Sequence, residues 1–312
     1  MKKAIVCFVI VGLVQPAFAS TLSSFAESAL NVVPPHNSAS YGGIIGDQTV
    51  TNPTWQLAQW SNPQPIGGSR RFTADQTSWT VTSGSDPATN AATVFYYSPY
   101  NGYGLTQNIQ TTNASKPNYL SCSKETDLFL SPNGRYNTYG TSTPAARNMG
   151  YSAPVGTLTM LNVQFSLSVA SESVSTAACS SSYVYYVYGL TLNNTSNGQA
   201  LFYQILIRDS RGFDNIAGQV GCPGYPSGNP ATFCVTTTTS FLFGNTMQSA
   251  NGQAVQSVWN LLPSLVAYIK QGQVGMDPNP NNWIVTGMYM GQGGIGDFLA
   301  GSSWNLAALN AG

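Results

Sequence analysis

The sequence predicts an all-β protein, a two-sheet jelly-roll sandwich with one outer helix near the C-terminus. Three observations carry this. From Trp55 onward the chain runs in short alternating segments rich in Val, Thr, Tyr and Phe; clusters of Gly, Pro, Asn and Ser separate them; and a single late stretch follows a helical period. Many strands with one helix pack as two layers of sheet with the helix laid outside.

The expected strands, in order, include Ser78–Thr82, Ala92–Tyr97, Thr157–Ala170, Tyr183–Asn193, Leu201–Arg208, Cys234–Phe243 and Trp283–Met290. Between two of them stands Asn194-Thr195-Ser196-Asn197-Gly198, a turn cluster that predicts an antiparallel hairpin of Tyr183–Asn193 with Leu201–Arg208. From Gln253 to Lys270 the apolar residues Val255, Val258, Trp259, Leu262, Leu265, Val266 and Ile269 recur at three- and four-residue spacing, which predicts a one-faced helix. Pro263 within it requires a start near Leu262 or a kink there. No repeat or linker is evident, so residues 20–312 read as one domain, with 20–50 as a loosely packed N-terminal segment.

Residues 1–19 read as a secretory leader: Lys2-Lys3, an apolar run from Ala4 to Val14, and Ala17-Phe18-Ala19 before Ser20. The expected location is secreted, periplasmic or extracellular, and no later apolar run is long enough to span a bilayer as a helix. Charged residues make up 7 % of the chain; without the leader 9 basic face 11 acidic residues, a net charge of −2. The only adjacent basic pair left is Arg70-Arg71, which argues against nucleic acid as a partner. A neutral surface of hydroxyls and amides suits contact with neutral polymers.

Four cysteines remain, Cys122, Cys179, Cys222 and Cys234, and an oxidising compartment makes two disulfides the default. Three pairings are possible; Cys222 with Cys234 would pin the Pro223–Phe233 loop and leave Cys122 with Cys179. No Cys-x-x-Cys spacing exists and His36 is the sole histidine, so no metal site and no cofactor is expected. His36 in a loop-like segment, with G-x-S-x-G absent, also gives no serine triad. Asp277-Pro278-Asn279-Pro280-Asn281 opens like a calcium loop but has Asn282 and Met288 where Gly and Glu belong, and reads as a Pro-stiffened turn. Gly291-Gln292-Gly293-Gly294-Ile295-Gly296 matches a dinucleotide fingerprint but no helix pattern follows, so it reads as a strand-end turn.

For hydrolysis the candidates are paired carboxylates. Asp209 and Asp297 lie near strand exits, Glu125 and Asp127 share one face of an extended run, and Glu172 stands in a Ser-rich, turn-like stretch. Asp209, between Arg208 and Arg211, also has an ordinary ion-pairing explanation.

The segments Ser257–Leu262 and Trp283–Gln292 resemble the end of the family 12 glycoside hydrolases, secreted glucanases on a concanavalin-A-like jelly roll. The resemblance implies a nucleophilic glutamate within Phe202-Tyr203-Gln204-Ile205-Leu206-Ile207 and an acid/base glutamate after Met290-Gly291; glutamine stands at both places, Gln204 and Gln292. Glutamine keeps the reach of glutamate but has no titratable proton. The implied protein binds a polysaccharide, with β-glucan first in view, and does not cut it. Gln204 and Gln292 would line the groove, with Tyr100, Tyr103 and Trp283 as stacking candidates. Two alternatives stand beside it: an active glycan-degrading enzyme using Asp209 or Asp297 with Glu125 or Asp127, and a surface or matrix adhesive protein. The first reading requires both amides in the hollow of one sheet.

Overall fold

The computed structural model describes residues 20–24, 30–32, 55–60, 71–72, 74, 79–82, 93–98, 102–109, 111, 120–132, 153–213, 219–221, 232–243 and 254–312. The leader, His36, Tyr100 and Cys222 lie outside the described residues.

The described strands are β1 (Ser20–Ser24), β2 (Leu30–Val32), β3 (Trp55–Trp60), β4 (Arg71–Phe72), β5 (Trp79–Thr82), β6 (Thr93–Ser98), β7 (Gly102–Ile109) and β8 (Glu125–Pro132). They continue with β9 (Leu161–Ser175), β10 (Tyr183–Asn194), β11 (Ala200–Asp209), β12 (Gln219–Gly221), β13 (Thr232–Thr238), β14 (Ala254–Asn260), β15 (Trp283–Ile295) and β16 (Asp297–Ala311). Among the described residues two α-helices interrupt them, α1 (Thr239–Phe243) and α2 (Leu262–Gln271), with short 3-10 turns at Val155–Thr157 and Pro280–Asn282.

Sheet A runs β14-β9-β16-β7-β6-β5-β4, with β1 also paired to β16; sheet B runs β12-β13-β11-β10-β15-β8-β3-β2. The architecture is the all-β two-sheet sandwich read from the sequence. One cluster of buried side chains from both sheets fills the space between them, including Phe95, Tyr103, Phe165 and Trp304 from sheet A and Tyr186, Tyr188, Tyr203 and Trp283 from sheet B. A second, smaller cluster of Phe129, Val187, Leu206 and Tyr289 lies on the other face of sheet B.

Long alternation makes the central strands. Along β9 the residues Leu161, Val163, Phe165 and Leu167 all point into the core, as do Val184, Tyr186, Tyr188, Leu190 and Leu192 along β10. The β10–β11 hairpin forms as expected, from Asn193 opposite Ala200 to Tyr185 opposite Asp209. Its turn is closed by Asn194 Oδ1, which accepts from the Ser196 and Asn197 amides.

Several expected boundaries shift. Residues 254–260 form a strand antiparallel to β9 rather than the first part of a helix, and the helix starts at Leu262, one of the two alternatives that Pro263 left open. Pro263 lies in the first turn of α2, where its missing N–H costs nothing. The chain is turned between the two by Asn260, whose Oδ1 accepts from the Leu161 and Leu262 amides. The Cys234–Phe243 segment divides into β13 and α1. Glu172 belongs to β9 rather than to a turn, and its carboxylate takes both Arg208 Nη2 (2.7 Å) and Nε (3.2 Å), tying sheet A to sheet B.

The Gly-rich run is also corrected. Gly291 to Gly294 sit inside β15, and only Gly296, with φ +79°, makes the turn into β16. The space over Gly293 is taken by neighbouring side chains: a Cβ there would meet Asp127 Oδ1 at 2.3 Å and the Tyr185 hydroxyl at 2.6 Å.

Asp277 organises the turn before β15. Its Oδ2 accepts from Asn194 Nδ2 and Asn282 Nδ2 at 2.8 Å each, and its Oδ1 from the Asn279 amide. These donors hold the carboxyl down to about 2, the Asn282 amide contributing most.

Candidate functional site on the outer face of sheet B

The face of sheet B that points away from sheet A is built by the residues between core positions. On β11 the core residues are Tyr203 and Ile205, so Phe202, Gln204 and Leu206 face outward. Register then assembles rows across the sheet. Thr236, Gln204, Gly189 and Tyr289 form one; Leu206, Val187, Gly291 and Phe129 a second; Asp209, Tyr185, Gly293 and Asp127 a third.

In the first row Gln204 Oε1 accepts from Thr236 Oγ1 at 3.2 Å. Gly189 has no side chain, and the Tyr289 ring lies over it: a Cβ at Gly189 would meet that ring at 2.1 Å. Tyr289 in turn packs edge-on against Phe129 (5.5 Å between centroids) and Phe202 (6.4 Å).

The acidic end of this face is the third row with its neighbours Tyr183 and Glu125. Tyr185 donates its hydroxyl to Asp127 Oδ1 at 2.6 Å and Tyr183 donates to Glu125 Oε1 at 3.3 Å. Burial pushes Asp127 well above the carboxylate range, repulsion by Glu125 adds to it, and the Tyr185 hydrogen bond opposes both. Glu125 is likewise raised by burial, against the two tyrosines and Arg211. Asp209, with its side chain wholly buried, is clamped by Arg211 through Nη2 (2.6 Å) and Nε (2.9 Å).

The two amides singled out in the sequence do not meet. Gln204 faces outward and is partly exposed. Gln292 points into the core with 0 % exposure, donating from Nε2 to the Ala300 carbonyl (3.0 Å) and accepting from Ser302 Oγ (2.6 Å). It therefore lines no groove, and the reading in which both amides stand in one hollow in place of a hydrolase's two glutamates does not hold. The parity of β15 decides this: Met288, Met290 and Gln292 share the face that packs on sheet A.

Tyr103 and Trp283 are corrected in the same way. Tyr103, at 1 % exposure, lies parallel to Phe95 and Trp304 in the core, and Trp283 is fully buried with its Nε1 donating to the Asp277 carbonyl. Tyr100 is outside the described residues.

Of the carboxylate candidates, the structure brings Glu125, Asp127 and Asp209 to one end of one face. Asp297 is spent locally, accepting from the amide and hydroxyl of Thr111. Sequence reasoning passed over Tyr183, Tyr185, Tyr289 and Thr236. The alternation Tyr183-Val184-Tyr185 was the available signal for the first two. Among the described residues no cluster of three or more His, Cys, Asp or Glu could hold a metal ion, and no helix is long and apolar enough to cross a membrane.

Cys122 and Cys179 are free thiols that lie against one another: Cys122 Sγ is 3.7 Å from the Ala178 carbonyl and Cys179 Sγ 3.9 Å from the Cys122 carbonyl.

No protein-family model and no curated protein matches the chain. Solved structures similar to it include the family 12 xyloglucanase from Bacillus licheniformis, with 13 % identity over 80 % of this chain and 100 % of that one and a TM-score of 0.42. A family 11 xylanase from Neocallimastix patriciarum has 7 % identity over 82 % and 99 %, TM-score 0.40. The xyloglucanase domain of NopAA from Sinorhizobium fredii, in complex with cellobiose, has 10 % identity over 76 % and 96 %, TM-score 0.36. These likenesses concern the arrangement of strands, and the chemistry of this chain rests on its own side chains.

Proposed function

We propose that the chain is a secreted carbohydrate-binding protein that engages a polysaccharide along the outer face of sheet B and does not cleave it. One observation carries the reading: the partly exposed side chains of that face set rings beside short-reach hydrogen-bonding groups, Phe202 next to Gln204 and Tyr185 next to Asp127, with the buried Tyr289 and Thr236 packed behind them. Apolar ring faces with convergent amide, hydroxyl and carboxyl groups suit the alternating apolar and hydroxylated surfaces of a pyranose. Gln204 Oε1 is taken by Thr236, which leaves its Nε2 to donate to a sugar oxygen.

Binding without hydrolysis is supported by the engagement of the acids rather than by their spacing, because residues two apart on one face of a strand lie about 7 Å apart. Glycoside cleavage needs two carboxyls on opposite sides of the scissile bond, about 5 to 9.5 Å apart. Glu125 and Asp127 stand side by side on one strand, each engaged by a tyrosine, and Asp209 is engaged by Arg211. The resemblance of the Phe202–Ile207 stretch makes β-glucan the first probe. Secretion is supported by the leader at residues 1–19, and in that compartment we also propose the bonds Cys122–Cys179 and Cys222–Cys234.

The expected outcome in affinity gels is retardation by xyloglucan or carboxymethylcellulose with no release of reducing ends. Gln204→Leu weakens the retardation. The raised carboxyls of Asp127 and Glu125 favour one alternative, hydrolysis. Reducing ends that appear with the wild type and vanish with Asp127→Asn would establish that alternative and refute the non-catalytic reading.

A further inference from the structure

At the Tyr183 end of sheet B, where the β9–β10 and β11 loops meet, lies a cavity of about 460 Å³. Hydroxyl-bearing side chains supply most of its lining: Thr176, Ser180, Ser181, Ser182 and Ser210, with Tyr183 and Arg211 as its wall. Its volume falls in the range of small-molecule sites, about 300 to 1,000 Å³.

A stack of planar groups borders this cavity. The Arg211 guanidinium carbon sits 3.5 Å from the centre of the Tyr183 ring and 4.4 Å from that of Phe213, so both rings pack on one cation. Arg211 cannot swing away, because two of its nitrogens and its backbone amide are bound to the buried Asp209 carboxylate. The result is a rigid platform whose outermost ring, Phe213, is 44 % exposed.

We infer that this end of the molecule is a second, distinct sugar subsite, in which one neutral saccharide unit stacks on Phe213 and places its hydroxyls among Thr176, Ser180, Ser181 and Ser210. The inference rests on the carbohydrate-binding reading and extends it to a chain end or branch beyond the Gln204 row. Charge selects the ligand class. Arg211 is neutralised by Asp209, and Glu125 lies beyond Tyr183, so the locale does not favour a uronate. The hydroxyls are preset: Ser210 Oγ accepts from the Val184 amide at 3.0 Å and keeps its O–H to donate, and Ser182 Oγ is fixed between the Cys179 carbonyl and the Asp297 amide.

The test is titration calorimetry of the full chain with cellohexaose, xylohexaose, mannohexaose and hexagalacturonate. Three variants are compared with wild type: Phe213→Ala, Ser180→Trp to fill the cavity, and Gln204→Leu on the other row. Both Phe213 and Ser180 are exposed, so thermal melts should match wild type within error. The expected result is binding of at least one neutral hexasaccharide, weakened about ten-fold or more by Phe213→Ala and by Ser180→Trp. Affinity unchanged in both variants but lost in Gln204→Leu overturns the second subsite and leaves the carbohydrate-binding reading standing. Binding of the uronate alone overturns the assignment of a neutral ligand, and no binding of any probe by the wild type overturns both readings.

Discussion

At Asp127 two effects oppose one another. Tyr185 stabilises the carboxylate through a 2.6 Å hydrogen bond, while burial and Glu125 disfavour it, and the second effect wins, so the folded protein holds the proton more tightly than the unfolded chain. An unfolded aspartate ionises near about 3.9. Below that pH the group is protonated in both states. As pH rises through the elevated folded value, the unfolded state gains and stability falls. Asp127→Asn keeps an acceptor for Tyr185 and removes this penalty, so its melting temperature should match wild type near pH 3 and exceed it increasingly toward pH 8. A constant difference across that range would show that burial does not control the group. Gln292 is the opposite case, a polar side chain buried with both ends satisfied. Gln292→Leu strands Ser302 and the Ala300 carbonyl and should cost about 1 to 3 kcal/mol in denaturant unfolding while leaving glycan binding unchanged. Its inward direction was hard to read because Gly291, Gly293 and Gly294 on either side carry no side chain to reveal the parity of the strand.

At the scale of elements, the turn before β15 is fastened to the β10–β11 hairpin through Asp277, Asn194, Asn282 and Ser196. Here the linkage runs the other way. The depressed carboxyl contributes stability above the ordinary value of about 3.9 that is lost as pH falls toward about 2. Asp277→Asn should therefore melt below wild type at pH 7, with the gap closing by pH 2. Gly293 makes a comparable point about β15. A Cβ there would displace the Tyr185–Asp127 contact, and Gly293→Ala should cost about 1 to 3 kcal/mol. The hairpin was legible because Asn194–Gly198 is turn chemistry between two alternating runs. The 254–260 strand was not, because Val255, Val258 and Trp259 fit a helical spacing as well as a strand, and the deciding contact, pairing with β9, is long-range. Pro263 was the local signal that separated strand from helix.

For the whole molecule, the division of sheet B into a core face and an outer face determines which residues can meet a ligand. The alternation in β9 and β10 made the sandwich legible. The site was legible only in part. Phe202–Ile207 is apolar nearly throughout, so nothing local told that Gln204 faces out, and the rows that join it to Tyr289 and Thr236 arise from pairing with β10, β15 and β13. In an oxidising compartment the adjacent Cys122 and Cys179 thiols should join. Intact mass of protein exported from cells, against protein kept reduced, should be lower by two hydrogens for this pair, and alkylation at both residues in the exported form would contradict the bond.

The central claim is that glycan lies on the outer face of sheet B and that the core face takes no part. Backbone and side-chain amide chemical shifts, followed while xyloglucan oligosaccharide is added, test it most directly. The account predicts that the Gln204 side-chain amide and the Thr236 and Tyr289 backbone amides move in a saturable way while the Gln292 side-chain amide stays fixed. Saturable shifts confined to residues off this face, with Gln204, Thr236 and Tyr289 unmoved, would contradict it.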